Sequence, residues 1–562
     1  VQLPSLSFCE NGRFFLRERV HLCASQPHEM MAHPNDGSGR APVAIVRPTT
    51  SVTSGVAVTQ KLVTASVAFG DLLRGTFGPN GLDKMMYKTN GQTAVTNDGA
   101  KIIAELLVKH PAAKAFVQLA ESQENACGDG VTGCIIIASE LMREAGRLLE
   151  KGLHPLVLVE GYQRALQTTL ETIDARVVRI QPTDNKRLLD VARTAMMGTT
   201  AESGSDHLAQ CIVTAAQTVA TNRDGTLHVR TEDVRMAKRG VGGIADSTLV
   251  SGLIIERHLD LDRLPRHLRN GTVAVLSCPL EIESSSRDAE IEVTSPDQWV
   301  AFMDAEEAQL DAKAQAVLDS GATLVFCAEG IDPRVMHRCA DAGVFALAGL
   351  ERSGAEDVAA ATGAMMIDHL DSLDASVLGS FKTMSIETLE GDDSRRERLH
   401  LDVGEHAGLA TVDVGGGDGV ASEEVIRGLY DALCSVTSAM ETGEVLLGGG
   451  SLHIAASLAI KEAAEAQGGR ERLAMEAFAR ALEAIPAVLA TNAGNDHLDT
   501  LLELRAHHRD GSAESGVQST GSAGLIEVAW SSAETLAHAI EAACETACGL
   551  LRVDQVISAR GD

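Results

Sequence analysis

Apolar residues recur at helical spacing through most of the first 220 positions. Val56, Val63, Val67 and Leu72 or Leu73 share one side of a segment from Val52 to Phe77, which Gly75 and Gly78-Pro79 close. Short helices are expected over Ala100–Val108, stopped by Pro111, and over Ala112–Ser122. Thr132–Leu149 opens on a hydroxyl and keeps Ile137, Leu141, Ala145 and Leu148 on one face. Leu156–Arg176 resumes the pattern after His154-Pro155, where His154 reads as a turn residue, and a small-residue helical region covers Ala192–Val219.

Near Thr226 the period changes. Leu227-His228-Val229-Arg230 alternates, Gly240 to Gly243 makes a break, and Asp246–Ile255 predicts strand after turn. Thr272–Leu276, Thr323–Cys327 and Gly343–Leu347 predict short buried strands, with an acidic helix, Ser295–Ser320, between the first two. The helical period returns over Glu424–Met440, Ser451–Gln467, Leu473–Leu489, Leu501–His507 and Ala533–Leu551. An α/β module is therefore expected inside a helical chain.

At 562 residues the chain should divide into three or four domains of ordinary size. Aromatics at 3% leave Ala, Val, Leu and Ile to build the cores. A formal charge of −30 without a basic patch argues against nucleic acid and anionic lipid, and no apolar run reaches a membrane span. Eleven cysteines without zinc spacing predict reduced, mostly buried thiols of a cytoplasmic protein.

Three runs carry the candidate chemistry: Gly78-Pro79-Asn80-Gly81-Leu82-Asp83-Lys84, Thr96-Asn97-Asp98-Gly99, and Gly128-Asp129-Gly130-Val131-Thr132-Gly133. Each sets glycine beside a carboxylate or amide ahead of a helical segment. Glycines let backbone N–H groups approach an anion, the following helix adds free donors, and an aspartate can hold a divalent cation shared with phosphates. GxxxxGK[ST] is absent, and neither a P-loop nor a dinucleotide-binding fold is expected. In the Glu424–Met440 helix, Asp431 faces away from the apolar stripe with Arg427 one turn before it. By pattern alone that is an ordinary surface ion pair worth under about 1 kcal/mol.

The order and wording of the runs, with His110-Pro111-Ala112-Ala113-Lys114 between the second and third, closely resemble group II chaperonins, the thermosome and TRiC family. Further matches are Glu160-Gly161-Tyr162, Cys278-Pro279-Leu280-Glu281, Thr294-Ser295-Pro296, Gly330-Ile331-Asp332, Tyr430-Asp431-Ala432-Leu433, Gly448-Gly449-Gly450, Asn492-Ala493-Gly494 and Leu525-Ile526-Glu527. The resemblance runs from about Val52 to the last residues. It implies a multidomain α and α/β fold: a mostly helical equatorial domain from both chain ends (42–178 and 443–562), a small intermediate hinge domain (179–246 and 407–442), and an inserted α/β apical domain (247–406). A helical protrusion at about 280–310 would form a lid, and residues 1–41 are expected to be a mobile extension.

The resemblance also implies ATP and Mg2+. Asp129 would hold the metal, Asp98 would help place water or metal, and Asp431 would orient or deprotonate the attacking water. Gly78, Pro79, Gly99, Gly128, Gly130, Val131, Thr132, Gly133, Gly449, Gly450, Asn492, Asp496 and Glu527 would contact the nucleotide. Glycines at 242–243 and 415–417 could absorb a hinge rotation that brings Asp431 down. Two stacked rings of about eight subunits, uniform or mixed, would enclose nonnative protein. The chain departs from the family at Val131, where a hydroxyl is usual, at Ile426, where Glu is usual, and at Ser451-Leu452-His453 in place of Ala-x-Glu. His453 is read as a substituted structural position. Two functions follow: an ATP-driven folding chamber, or a chaperonin-derived ring or scaffold subunit with little hydrolysis. A stand-alone kinase is set aside because no acceptor-substrate pocket can be identified.

Overall fold

The computed structural model describes residues 51–87, 93–106, 110–223, 225–257, 263–282, 295–390, 395–404, 408–417 and 420–558. The expected extension over 1–41, and residues 283–294 of the expected protrusion, lie outside them. One compact unit spans Val52–Val556. Among the described residues, no helix is long and apolar enough to cross a membrane.

The first third folds as helices α1 (Val56–Arg74), α2 (Gly99–Ala104), α3 (Pro111–Cys127), α4 (Val131–Glu150) and α5 (Pro155–Arg176). Next come α6 (Asn185–Met196) and α7 (Ser205–Val219). The α/β module carries α8 (Pro296–Asp319), α9 (Pro333–Asp341) and α10 (Arg352–Thr362). After α11 (Val420–Thr442) the chain ends in α12 (Ser451–Ala466), α13 (Glu471–Leu482), α14 (Ala484–Asn492), α15 (His497–Arg509) and α16 (Ala533–Leu551).

One hydrophobic core joins α1–α5 to α12–α14 and α16. Helix α4 runs through it, with Ile135, Ile136, Ala138, Leu141 and Met142 wholly buried, so apolar residues occupy nearly its whole circumference. Small residues set the approach distances. A Cβ on Gly161 would lie 2.4 Å from that of Ala474, so only glycine lets α5 lie this close to α13. Strand Glu444–Leu447 pairs antiparallel with both Val178–Arg179 and Trp530–Ser532, stitching the outgoing and returning chain together.

A second core gathers α6, α7 and α11 around strand Ala410–Val414, which lies parallel to Val234–Lys238 and antiparallel to Thr248–Val250. The module itself is a mixed seven-stranded sheet, counted among the described residues. Alternation places Val273, Val275, Leu324 and Phe326 against α10 on one face. Ala274, Leu276, Val325 and Cys327 face α8 and α9 on the other.

Four elements differ from the pattern-based expectation. The Gly78–Lys84 run, read as lying ahead of a helical segment, leads into strand Lys84–Tyr87, which pairs antiparallel with Thr93–Thr96. The Leu473–Leu489 run is two helices, broken at Glu483. Asp246–Ile255 is two strands, Thr248–Val250 and Gly252–Glu256, in different sheets. The longest hairpin, Gly379–Glu390 with Arg395–Asp402, has no counterpart in the sequence reading.

Candidate functional site

The first and last thirds of the chain, with residues from α6 and α11, converge on a cavity of about 660 Å3. From the first third, Gly78, Pro79, Asp98, Gly128, Asp129, Gly130, Val131, Thr132 and Gly133 line it. From the last third come Gly449, Gly450 and Glu527, and α11 contributes Asp431. Residues separated by more than 300 positions in sequence thus share one wall.

Two long helices open into this space with no side-chain cap. Helix α4 begins at Gly130 (φ 83°) and α12 at Gly450 (φ 75°), and neither N-cap residue supplies an acceptor. On α4 the first N–H groups and the dipole end are therefore available to an anion, whereas on α12 the Ser451 N–H already donates to the Gly448 carbonyl at 3.2 Å. The positive φ at both positions favours glycine, and a Cβ on Gly450 would meet Pro486 at 2.9 Å. The letters Gly128 to Gly133 satisfy GxGxxG, but the loop links helix α3 to helix α4 with no strand before it. That context is not a dinucleotide-binding turn.

A cluster of acids shares the cavity, with Asp129 directly before the N-cap of α4. Asp129 Oδ1 accepts from the Gly130 N–H at 2.5 Å and Oδ2 from Ser435 Oγ at 2.7 Å. Burial raises the Asp129 pKa, Asp98 adds to the rise, and the two hydrogen bonds oppose it. Asp431 is pushed well above the usual carboxylate range by burial, then by Asp129, Asp98 and Glu124, with Arg427 opposing. Glu124, which the sequence reading did not single out, is raised to about 7 by burial and by Asp98 and Asp129. Arg427 is the sole Lys or Arg among the described lining residues. It does not make the expected pair with Asp431; its Nη1 donates to Asp98 Oδ2 at 2.9 Å. Asp98 also caps α2, accepting from Ala100 N at 2.8 Å and Lys101 N at 3.4 Å.

Six lining carboxylates, those of Asp98, Glu124, Asp129, Glu424, Asp431 and Glu527, against one guanidinium leave the site short of positive charge. Among the described residues no group of three His, Cys, Asp or Glu is spaced to hold a metal ion. A cation here would therefore draw part of its oxygen shell from a bound ligand, as Mg2+ does with phosphates. The donor set fits: hard carboxylate oxygens share the cavity with two helix ends that have no side-chain cap.

Three expected contacts lie outside the cavity lining. Gly99 is the first residue of α2, and a Cβ there would come 2.4 Å from Thr132 Oγ1. Asn492 Nδ2 donates to the carbonyls of Arg74 and Phe77, both at 2.8 Å, fixing the end of α1. Asp496 caps α15 through Leu498 N. Residues the sequence reading passed over also line the cavity: Asn97, Thr199, Glu424, Ser435 and Trp530. His453 does too; it is 5% exposed, its Nδ1 has no partner, and burial lowers its pKa to about 4.

Residues 69–561 match the family model described as the TCP-1/cpn60 chaperonin family. The chain is 35% identical to a thermosome subunit of Methanopyrus kandleri over 89% of its length and 91% of that protein. It is 34% identical to the thermosome subunit alpha of Archaeoglobus fulgidus (92% and 95%) and to that of Halobacterium salinarum (93% and 92%).

Proposed function

The chain belongs to the TCP-1/cpn60 chaperonin family, and from that premise we propose that it is an ATP-dependent group II chaperonin subunit that binds nonnative protein in the cytoplasm and encloses it within a double ring of about eight subunits per ring. The observation that carries the nucleotide reading is the cavity, where two helix ends without side-chain caps share the lining with a carboxylate cluster deficient in cations. In this reading the core built from both chain ends is the equatorial domain, the α6, α7 and α11 core is the intermediate domain, and the seven-stranded module is the apical domain.

Gly130 to Gly133 and Gly449-Gly450 bind the anion through backbone N–H groups. Asp129 holds Mg2+, which when bound offsets phosphate charge. Asp431 accepts the proton of the attacking water. Asp98 orients the site from its bond with Arg427. The buried Val131 brings no hydroxyl to the cavity, which supports slow turnover and, at the limit, the alternative of a ring subunit with little hydrolysis.

Mg-ATP turnover and native mass measured on one preparation test the proposal. A large ring with turnover is expected, whereas a ring or monomer without turnover refutes the ATPase reading. Asp431→Ala should keep ATP binding and lose most turnover, while Asp129→Ala should weaken Mg-ATP binding itself. Unchanged turnover in Asp431→Ala discards its assignment.

A further inference from the structure

Helix α11 presents Arg427, Asp431 and Ser435 at i, i+4 and i+8, a single stripe down one face. The outer two grip the loops of the first third: Arg427 holds Asp98 and Ser435 holds Asp129. Asp431 sits between the two grips. Cys434 is pressed onto the same loop, since a Cβ on Gly128 would lie 2.3 Å from its Sγ. Ser435 is 3% exposed, so its hydroxyl has exchanged water for the Asp129 carboxylate.

We propose that Ser435 is a positioning residue that makes the metal-binding posture of Asp129 conditional on the docking of α11. With the helix docked, the carboxylate is fixed by two donors, one from the adjoining Gly130 backbone and one from Ser435. With the helix withdrawn, only the Gly130 bond remains and the carboxylate is free to turn. Because Asp431 rides on the same stripe, the group that acts on water and the group that holds the metal become ready together. The inference rests on the reading of the cavity as an Mg-ATP site. It adds that the metal affinity of Asp129 is set in part by a hydroxyl on another element, since partners that orient a metal-ligating carboxylate typically carry tenfold or more of the affinity.

The test compares Ser435→Val with Ser435→Thr, which fill nearly the same volume and differ in the hydroxyl. ATP affinity of the full chain in its native assembly is measured in EDTA and then as Mg2+ is titrated in. Ser435→Val should raise the Mg2+ concentration for half-maximal binding about tenfold and leave the metal-free affinity within about twofold. Ser435→Thr should track the parent protein. If valine is not accommodated, Ser435→Ala carries the same expectation. Equal Mg2+ dependence in the hydroxyl-lacking and hydroxyl-bearing variants overturns the inference, as does an equal loss of metal-free and metal-dependent binding. Absence of ATP binding in the parent protein would overturn the cavity reading as well, so the two failures are distinct.

Discussion

Asp413→Ala tests how firmly the seven-stranded sheet is held to the three-stranded one. Arg398, on strand Arg395–Asp402, donates to Asp413 on strand Ala410–Val414 through Nη1 at 3.0 Å and Nη2 at 2.6 Å. The side chains are 0% and 1% exposed, and Glu256 lies 2.9 Å from Arg398 Nε. Burial alone would lower the guanidinium pKa, but hydrogen bonding and charge from Asp413, then charge from Glu256, turn the shift upward. Removing the carboxylate strands a buried cation whose remaining negative neighbours, Glu256 and Glu387, are part-exposed, which costs about 3–5 kcal/mol. At ~1.36 kcal/mol per decade this is roughly two to four orders of magnitude in the local opening equilibrium. Hydrogen exchange of peptides covering residues 395–404 and 408–417 reads that opening without requiring the whole chain to unfold in one step. Arg398→Met with Asp413→Leu should return the region to within about 1 kcal/mol of the parent, because two apolar groups leave nothing unpaired. An acceleration below about tenfold in Asp413→Ala, or a double variant as loose as the single one, refutes the reasoning.

His453 stays neutral in the fold down to about pH 4 but protonates near 6.5 when the chain unfolds. Below 6.5 the unfolded state binds the extra proton, so stability falls as pH drops from 6.5 to 4, by up to about 3 kcal/mol. Melting curves across that window should lose this part of their slope in His453→Gln, and an unchanged slope would contradict the assignment. Gly128→Ala combines a φ of +64° with the contact at Cys434 Sγ, whereas Gly494→Ala has a φ of +85° and no atom within 4 Å of its Cβ. Denaturation should therefore show about 1–2 kcal/mol for Gly494→Ala and about 1–3 kcal/mol more for Gly128→Ala; equal losses would mean that the helix α11 contact is not tight.

Helices were legible where apolar residues recurred at helical spacing, as in α4, α11 and α16, although each packs against several neighbours. Their ends were legible where glycine or proline closed them. The break at Glu483 had a local sign that the periodic reading passed over, Pro486, which has no N–H for the Leu482 carbonyl. What no local window contains is the set of donors to the buried Glu483 carboxylate, Ser457, Lys461 and Arg505, drawn from two other helices. The Gly379–Glu390 strand escaped because Lys382, Thr383, Ser385 and Glu387 interrupt its apolar positions, and its partners lie across a wide mixed sheet. In the site, glycine runs announced the backbone cradle directly. The side-chain partners did not: Arg427 is one turn from Asp431 along its helix, yet bonds Asp98, 329 positions away. Ser435 and Glu124 carry no motif, and only the fold gives them their neighbours.

The three-stranded stitch of Val178–Arg179, Glu444–Leu447 and Trp530–Ser532 has a consequence for biosynthesis. Helices α1–α5 leave the ribosome with their inner faces bare, and α16, which covers much of α4, follows some four hundred residues later. At ordinary elongation speeds that interval is about 20–80 s. The inserted module, contiguous in sequence, has all it needs to fold in the meantime. A nascent chain of this design thus keeps apolar helix faces uncovered for most of its own translation.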